Sequence, residues 1–187
     1  MVLMLNFYDL RNSFSSALCE YLERVVRIRE YRRKEFVLKA GHICRHIYFV
    51  QSGLLRSFYE NEEKEVCSWF MKEGDMVLSV ESFYQQKVSY ESIQALEDSQ
   101  LYYISYSDLN YIYTHFPECN RSGRLVTEKY YQLWTRQLVA LRMKQAPEKY
   151  AWLREEHPEF IRRVPAKYLA SFLGISEVML SIIKSKR

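Results

Sequence analysis

The run from Glu35 to about Ser107 constrains the fold most. "EFVLKAG", "IYFVQSGLLRSFYE", "EVCSWFMKEGD" and "YESIQALEDSQLYYIS" are short β-branched and aromatic segments separated by glycine and charged turns. Gly41, Gly53 and Gly74 stand at the breaks. Several short strands at near-regular spacing predict an antiparallel barrel or roll, which shelters the strand edges that a flat sheet would expose.

On either side the period changes. Within residues 7–33, Leu18, Tyr21, Leu22, Val25 and Val26 recur at three and four residues, which predicts an amphipathic helix with a charged outer face. Residues 121–145 return to helical spacing, with Val126, Tyr130, Leu133, Trp134, Leu138 and Leu141 in one stripe. Tyr131, Val139 and Met143 fall off it, so the apolar surface is wider than one face. That width suits contact with the roll on one side and a partner helix on the other; a plain core helix explains the stripe equally.

At 187 residues the chain makes one domain, or one domain with a small appendage. Hydrophobic residues at 48% and charged residues at 27% exclude disorder. A net charge of +4 permits an acidic partner without requiring one. Cys19, Cys44, Cys67 and Cys119 are scattered, with no C-x-x-C pair, and read as buried thiols. The opening "MVLMLNFYDLRNSF" lacks a basic leader and cleavage site, and no apolar run approaches the roughly 18 residues of a membrane span. A cytoplasmic protein is expected.

The stretch "YLASFLGISEVMLSIIKSKR" carries dense local logic. Leu169, Ala170 and Leu173 share the inner face of one helix, and Gly174 suits a left-handed turn. Ser176 is a good N-cap for the next helix. Ile175 before the cap and Leu180 at the fourth helical position make a hydrophobic staple, and Ile183 completes the inner face. Two helices about a tight glycine turn predict a helix-turn-helix; an ordinary helical hairpin is the bland reading. Ahead of it, "APEKYAWLREEHPEF" predicts a helix ending near Pro158, and "VPAKYLASFL" a helix beginning at Pro165.

With these pieces in order, the chain resembles the Crp/Fnr transcription regulators, especially the short variants common in Bacteroidetes. "AGHICRHIYFVQSGLLRSFY", "KEGD", "IQALEDSQLYYIS" and "HPEFIRRVPAKYLASFLGIS" carry the match. The resemblance implies an α+β fold: a cyclic-nucleotide-binding-like double-stranded β-helix of jelly-roll type over residues 1–120, a dimerisation helix over 121–145, and a helix-turn-helix domain over 146–187 without a wing. It implies a homodimer on double-stranded DNA, with reading helices about 34 Å apart. RNA polymerase contact and an unidentified small-molecule effector are further expectations; no membrane partner and no cofactor are expected.

The family's nucleotide pocket does not carry over. Cyclic nucleotide binders show a Gly-Glu pair after the "GD" turn and an Arg-Ser pair eleven residues beyond. Aligned on Gly74 and Asp75, this chain places Leu78 and Ser79, then Ser89 and Tyr90, at those positions. A buried phosphate without a cation costs desolvation that a serine hydroxyl does not offset. No cyclic AMP response is therefore expected. Cys19 stands alone for an iron–sulfur cluster, and His42 and His46 lie in what reads as turn and strand rather than as a haem site.

The expected DNA-facing residues are Lys167, Ser176, Glu177, Ser181, Ile182, Lys184, Lys186 and Arg187, with Arg162 and Arg163 nearby. Where relatives show "ETLSRIRKK", this chain has "EVMLSIIKSKR", so Ile182 replaces the usual arginine. Each lost bidentate contact removes about 1–3 kcal/mol of base discrimination. The lysines supply phosphate contacts and affinity rather than sequence choice. The alternative is a Crp-like sensor or interaction module with weakened DNA reading. No nucleophile–base motif or phosphate loop points to an enzyme, and "EDS" at 97–99 reads as a solvated turn.

Overall fold

A computed structural model describes residues 14–62, 64–143 and 145–185. Its elements in chain order are α1 (Ser16–Val25), β1 (Arg27–Tyr31), β2 (Phe36–Leu38), β3 (His46–Ser52), β4 (Leu55–Asn61), β5 (Lys64–Met71), β6 (Met76–Val77) and α2 (Val80–Gln85). They continue with β7 (Glu91–Ala95), β8 (Ser99–Ser105), α3 (Tyr106–His115), α4 (Glu118–Met143), α5 (Ala146–Glu156), α6 (Pro158–Arg163), α7 (Ala166–Leu173) and α8 (Glu177–Ser185).

The strands form two four-stranded antiparallel sheets, ordered β1-β8-β3-β6 and β2-β7-β4-β5. The strand-rich centre thus forms an antiparallel roll, as its spacing predicts, and with the long helix and the C-terminal helices it makes the cyclic-nucleotide-binding fold that the resemblance implies. At Gly53, between β3 and β4, φ is +107°, and a Cβ would stand 2.7 Å from the Ser99 backbone. Only glycine lets the two chains approach so closely there.

The helix expected across 7–33 is shorter. α1 ends at Val25, and Arg27–Tyr31 pairs with β8 from Arg27↔Tyr103 to Tyr31↔Ser99. In β1 four exposed residues precede buried Tyr31, so this is an edge strand, and its charged residues gave the helical outer face that the spacing suggested. The start of the expected helix lies outside the described residues. Sequence reading also missed α2, six residues set between β6 and β7. Cys44, Cys67 and Cys119 are buried free thiols and Cys19 is half-buried.

Two cores organise the molecule. The first joins Tyr31, Val50, Leu55, Val77, Ile93 and Leu101 between the sheets, with Leu18 and Ile112 packing from the helices. The second joins Leu54, Phe58 and Phe70 of the roll to Leu153, Phe160, Phe172 and Leu180 of the C-terminal helices. β4 explains how one sheet serves both. Its first four residues, Leu55 to Phe58, are all buried, because alternate side chains face the inter-sheet core and the C-terminal helices.

Arg56, only 1% exposed, lies under that second layer. Its guanidinium sits 3.9 Å from the Phe58 ring centre and 3.8 Å from that of Tyr168. It donates to Glu65 at 2.6 Å and to Gln94 Oε1 at 2.8 and 3.1 Å. A buried cation is tolerable here because both its faces and its N–H groups are occupied.

Candidate functional site

α7 and α8 are the two short helices expected about the Gly174 turn. Gly174 closes α7 in the left-handed region at φ 64°, and its N–H is bonded to the carbonyls of Ala170 and Ser171. The chain turns by 102° between the two helices, within the range of DNA-reading helix pairs. Ser176 Oγ accepts the Met179 N–H at 3.1 Å, which is the expected N-cap. Leu169, Ala170, Leu173 and Leu180 are buried, with Ile175 and Ile183 packed against them. Lys149 of α5 donates to the Leu173 carbonyl at 3.2 Å, satisfying the C-terminus of α7.

The outward face of α8 is apolar. Val178 is 69% exposed, and Met179 and Ile182 are each 43% exposed. Glu177 and Ser181 are exposed beside them and Lys184 is half-buried. Lys167 is exposed on α7, its Nζ 4.6 Å from the Tyr168 ring centre. Lys186 and Arg187 lie outside the described residues.

Arg163 is not free to meet a phosphate, contrary to expectation. It forms a fork with both Glu73 carboxylate oxygens at 2.8 Å. It reaches Glu97 at 2.7 and 3.1 Å. Glu97 is therefore an ion-pair partner rather than part of a merely solvated turn. Hydrogen bonding from Arg163 holds the Glu73 carboxyl down to about 2, and the carboxylates in turn raise the Arg163 pKa. Lys72 pairs with Glu159 at 2.8 Å. Ser171 Oγ donates to the Glu65 carbonyl at 2.8 Å and accepts the Cys67 N–H at 3.0 Å.

At the nucleotide-pocket positions, Ser79 and Ser89 are 0% and 3% exposed, with their hydroxyls 3.0 Å apart. The positions aligned from sequence thus meet in space. Ser89 Oγ accepts the Glu91 N–H at 3.1 Å. Burial raises the Glu91 carboxyl pKa, against hydrogen bonds from Ser79 and Ser57, and no lysine or arginine is among the described groups acting on it. Sequence reading missed Glu91, although an acid two residues beyond the aligned serine was the available signal. Leu78 packs against the roll core, and Tyr90 is 64% exposed against Tyr59.

α4 divides the expected partner-facing stripe. Tyr130 turns to its own roll: its hydroxyl accepts the Met76 N–H at 2.6 Å and lies 3.4 Å from Asp75 Oδ1. Burial raises both the Asp75 and Tyr130 pKa values. Val126 faces the helices and sheet of the same chain, Leu133 is half-buried, and Leu141 packs on the C-terminal core. Gln137 donates to the Ser68 carbonyl at 2.9 Å. The outer face instead carries Trp134 (55% exposed), Leu138, Tyr131 and Val139. The two groups lie on adjoining faces of one helix, and the roll covers only the first.

Among the described residues no single helix is long and apolar enough to cross a membrane.

Residues 28–115 match the family model of the cyclic nucleotide-binding domain. Solved structures of similar fold include a Crp/Fnr-family transcriptional regulator from Eubacterium rectale, at TM-score 0.76 and 16% identity, covering 97% of this chain and 87% of that one. FixK2 from Bradyrhizobium japonicum is similar at TM-score 0.72 and 17% identity, covering 87% and 84%. The c-di-GMP-responsive global regulator CLP of Xanthomonas campestris is similar at 0.71 and 19%, covering 92% and 91%. No curated protein matches the chain. At these identities the likeness is one of fold.

Proposed function

We propose that the protein is a DNA-binding transcription regulator of the Crp/Fnr type that acts as a cytoplasmic homodimer and does not respond to cyclic AMP. The observation that carries this reading is the α7–α8 pair: a 102° turn, a glycine C-cap and a serine N-cap. In this reading residues 1–120 form the sensor, 121–145 the dimer helix and 146–187 the DNA-binding part. The exposed apolar face of α4 supports a second copy as its cover, since a lone helix gains nothing by leaving Trp134 and Leu138 in water. The Ser79–Ser89 pair beside the Glu91 carboxylate supports the absence of a cyclic phosphate.

A second reading is favoured by one observation. Val178, Met179 and Ile182 give α8 an apolar outer face, which suits a Crp-like sensor or interaction module with weakened DNA reading. A mobility-shift assay with the duplex upstream of the protein's own gene separates the two. The regulator reading expects a saturable, salt-sensitive shift. Replacing Lys184 and Lys186 by alanine then lowers the salt slope by about 1 per lost phosphate contact. No shift at low salt selects the second reading, and an unchanged slope removes those lysines from the interface.

A further inference from the structure

A hollow of about 140 Å³ lies where α1, β3, β8, α3 and the first turns of α4 meet. Its lining includes neither Ser79 nor Ser89 and carries no charged side chain. Leu22, Ile47, Phe49, Ile104, Ile112 and Val126 make it apolar. Burial pushes the Cys119 thiol up to about 11, so this lining group also stays neutral.

Of the hydroxyl-bearing residues in the lining, Tyr84, Tyr113, Ser122 and Thr127, one stands out. Ser122 lines the hollow, is only 9% exposed, and its hydroxyl has no hydrogen-bond partner. Native cores seldom carry such a group without a reason. The size is informative as well, because an apolar cavity of about 150 Å³ admits benzene.

We propose that this hollow binds a small uncharged molecule: a single six-membered ring bearing one hydroxyl, which meets Ser122 Oγ. The apolar walls take the ring and reject ions, whose desolvation nothing there offsets. The orphan hydroxyl favours a ligand that can bond to it over one that cannot. The site also touches both sides of a structural link. Met76 lines the hollow while its N–H donates to Tyr130 on α4, and Val126 lines it one turn earlier on the same helix. This inference stands apart from DNA binding and survives if that reading fails.

The test is an amide NMR titration of the full chain with phenol and, separately, with benzene. Saturable shifts are expected around the hollow, including the Met76 amide. Phenol should bind more tightly by roughly 2- to 12-fold, the range of one net hydrogen bond. Ser122→Ala should abolish that preference yet keep benzene binding, and Val126→Trp should abolish both. Should Val126→Trp fail to fold, Ser122→Ala decides alone. The proposal is overturned by shifts that never saturate in the unaltered protein. Binding that persists in Val126→Trp overturns it too, as does a phenol preference that survives Ser122→Ala.

Discussion

Replacing Arg163 by methionine keeps an aliphatic stem but removes the charges that join α6 to the roll. The Glu73 carboxyl, ordinarily near 4.5, is held at about 2 in the folded chain. At about 1.36 kcal/mol per pKa unit that displacement corresponds to roughly 3 kcal/mol. Glu73 is 42% exposed and Arg163 26%, so solvent screening reduces the expected loss to roughly 1–2 kcal/mol. The pH dependence has a definite sign. Because folding depresses the carboxyl pKa, its contribution is complete above about 4.5 and is lost as pH falls through about 2. Urea unfolding of the native chain and Arg163→Met should therefore differ at pH 7 and converge toward pH 2. A double-mutant cycle with Glu73→Gln isolates the pair. A coupling of about zero at pH 7, or a difference independent of pH, refutes the reasoning.

Three further outcomes are expected. Gly53→Ala forces a side chain into φ +107° and against the Ser99 backbone, and should lower stability by about 2 kcal/mol or more, read by thermal unfolding. Ser176→Ala removes the acceptor for the Met179 N–H and should cost about 1 kcal/mol in chemical denaturation, with a matching loss of helical circular dichroism on heating. Trp134→Glu places a charge on the outer face of α4; on the proposed homodimer reading, light scattering should report a dimer for the unaltered chain and a monomer for the variant, while the roll stays folded because Trp134 is 55% exposed.

Features encoded over a few residues were legible in the sequence. The Gly174 turn, the Ser176 cap and the Ile175–Leu180 staple each depend on neighbours within one helical turn, so residue type and spacing suffice. The strand-rich centre was legible for the same reason. Features set by distant partners were not. Arg163 and Glu97 stand 66 positions apart, and nothing near either announces the other. Residues 27–31 pair with β8, about seventy positions along the chain, and that pairing overrides a helical spacing continuous with α1. The α4 stripe failed differently: the residue types were apolar as expected, but only the position of the roll decides which of them it covers.

The Lys72–Asp75 turn shows why these long-range contacts matter together. Lys72 and Glu73 grip α6 through Glu159 and Arg163. The Glu73 carboxylate also accepts the Gly53 N–H at 2.9 Å, tying the turn to the β3–β4 hairpin. Two residues on, Asp75 and Met76 meet the Tyr130 hydroxyl of α4. Four consecutive positions and their successor thus contact the roll, the long helix and the C-terminal lobe. A shift of α4 that breaks the Tyr130 contacts leaves the buried Asp75 carboxyl, whose pKa burial has already raised, with fewer partners. Movement of the long helix relative to the roll is therefore energetically linked, through one tight turn, to the grip on the helices that carry α7 and α8.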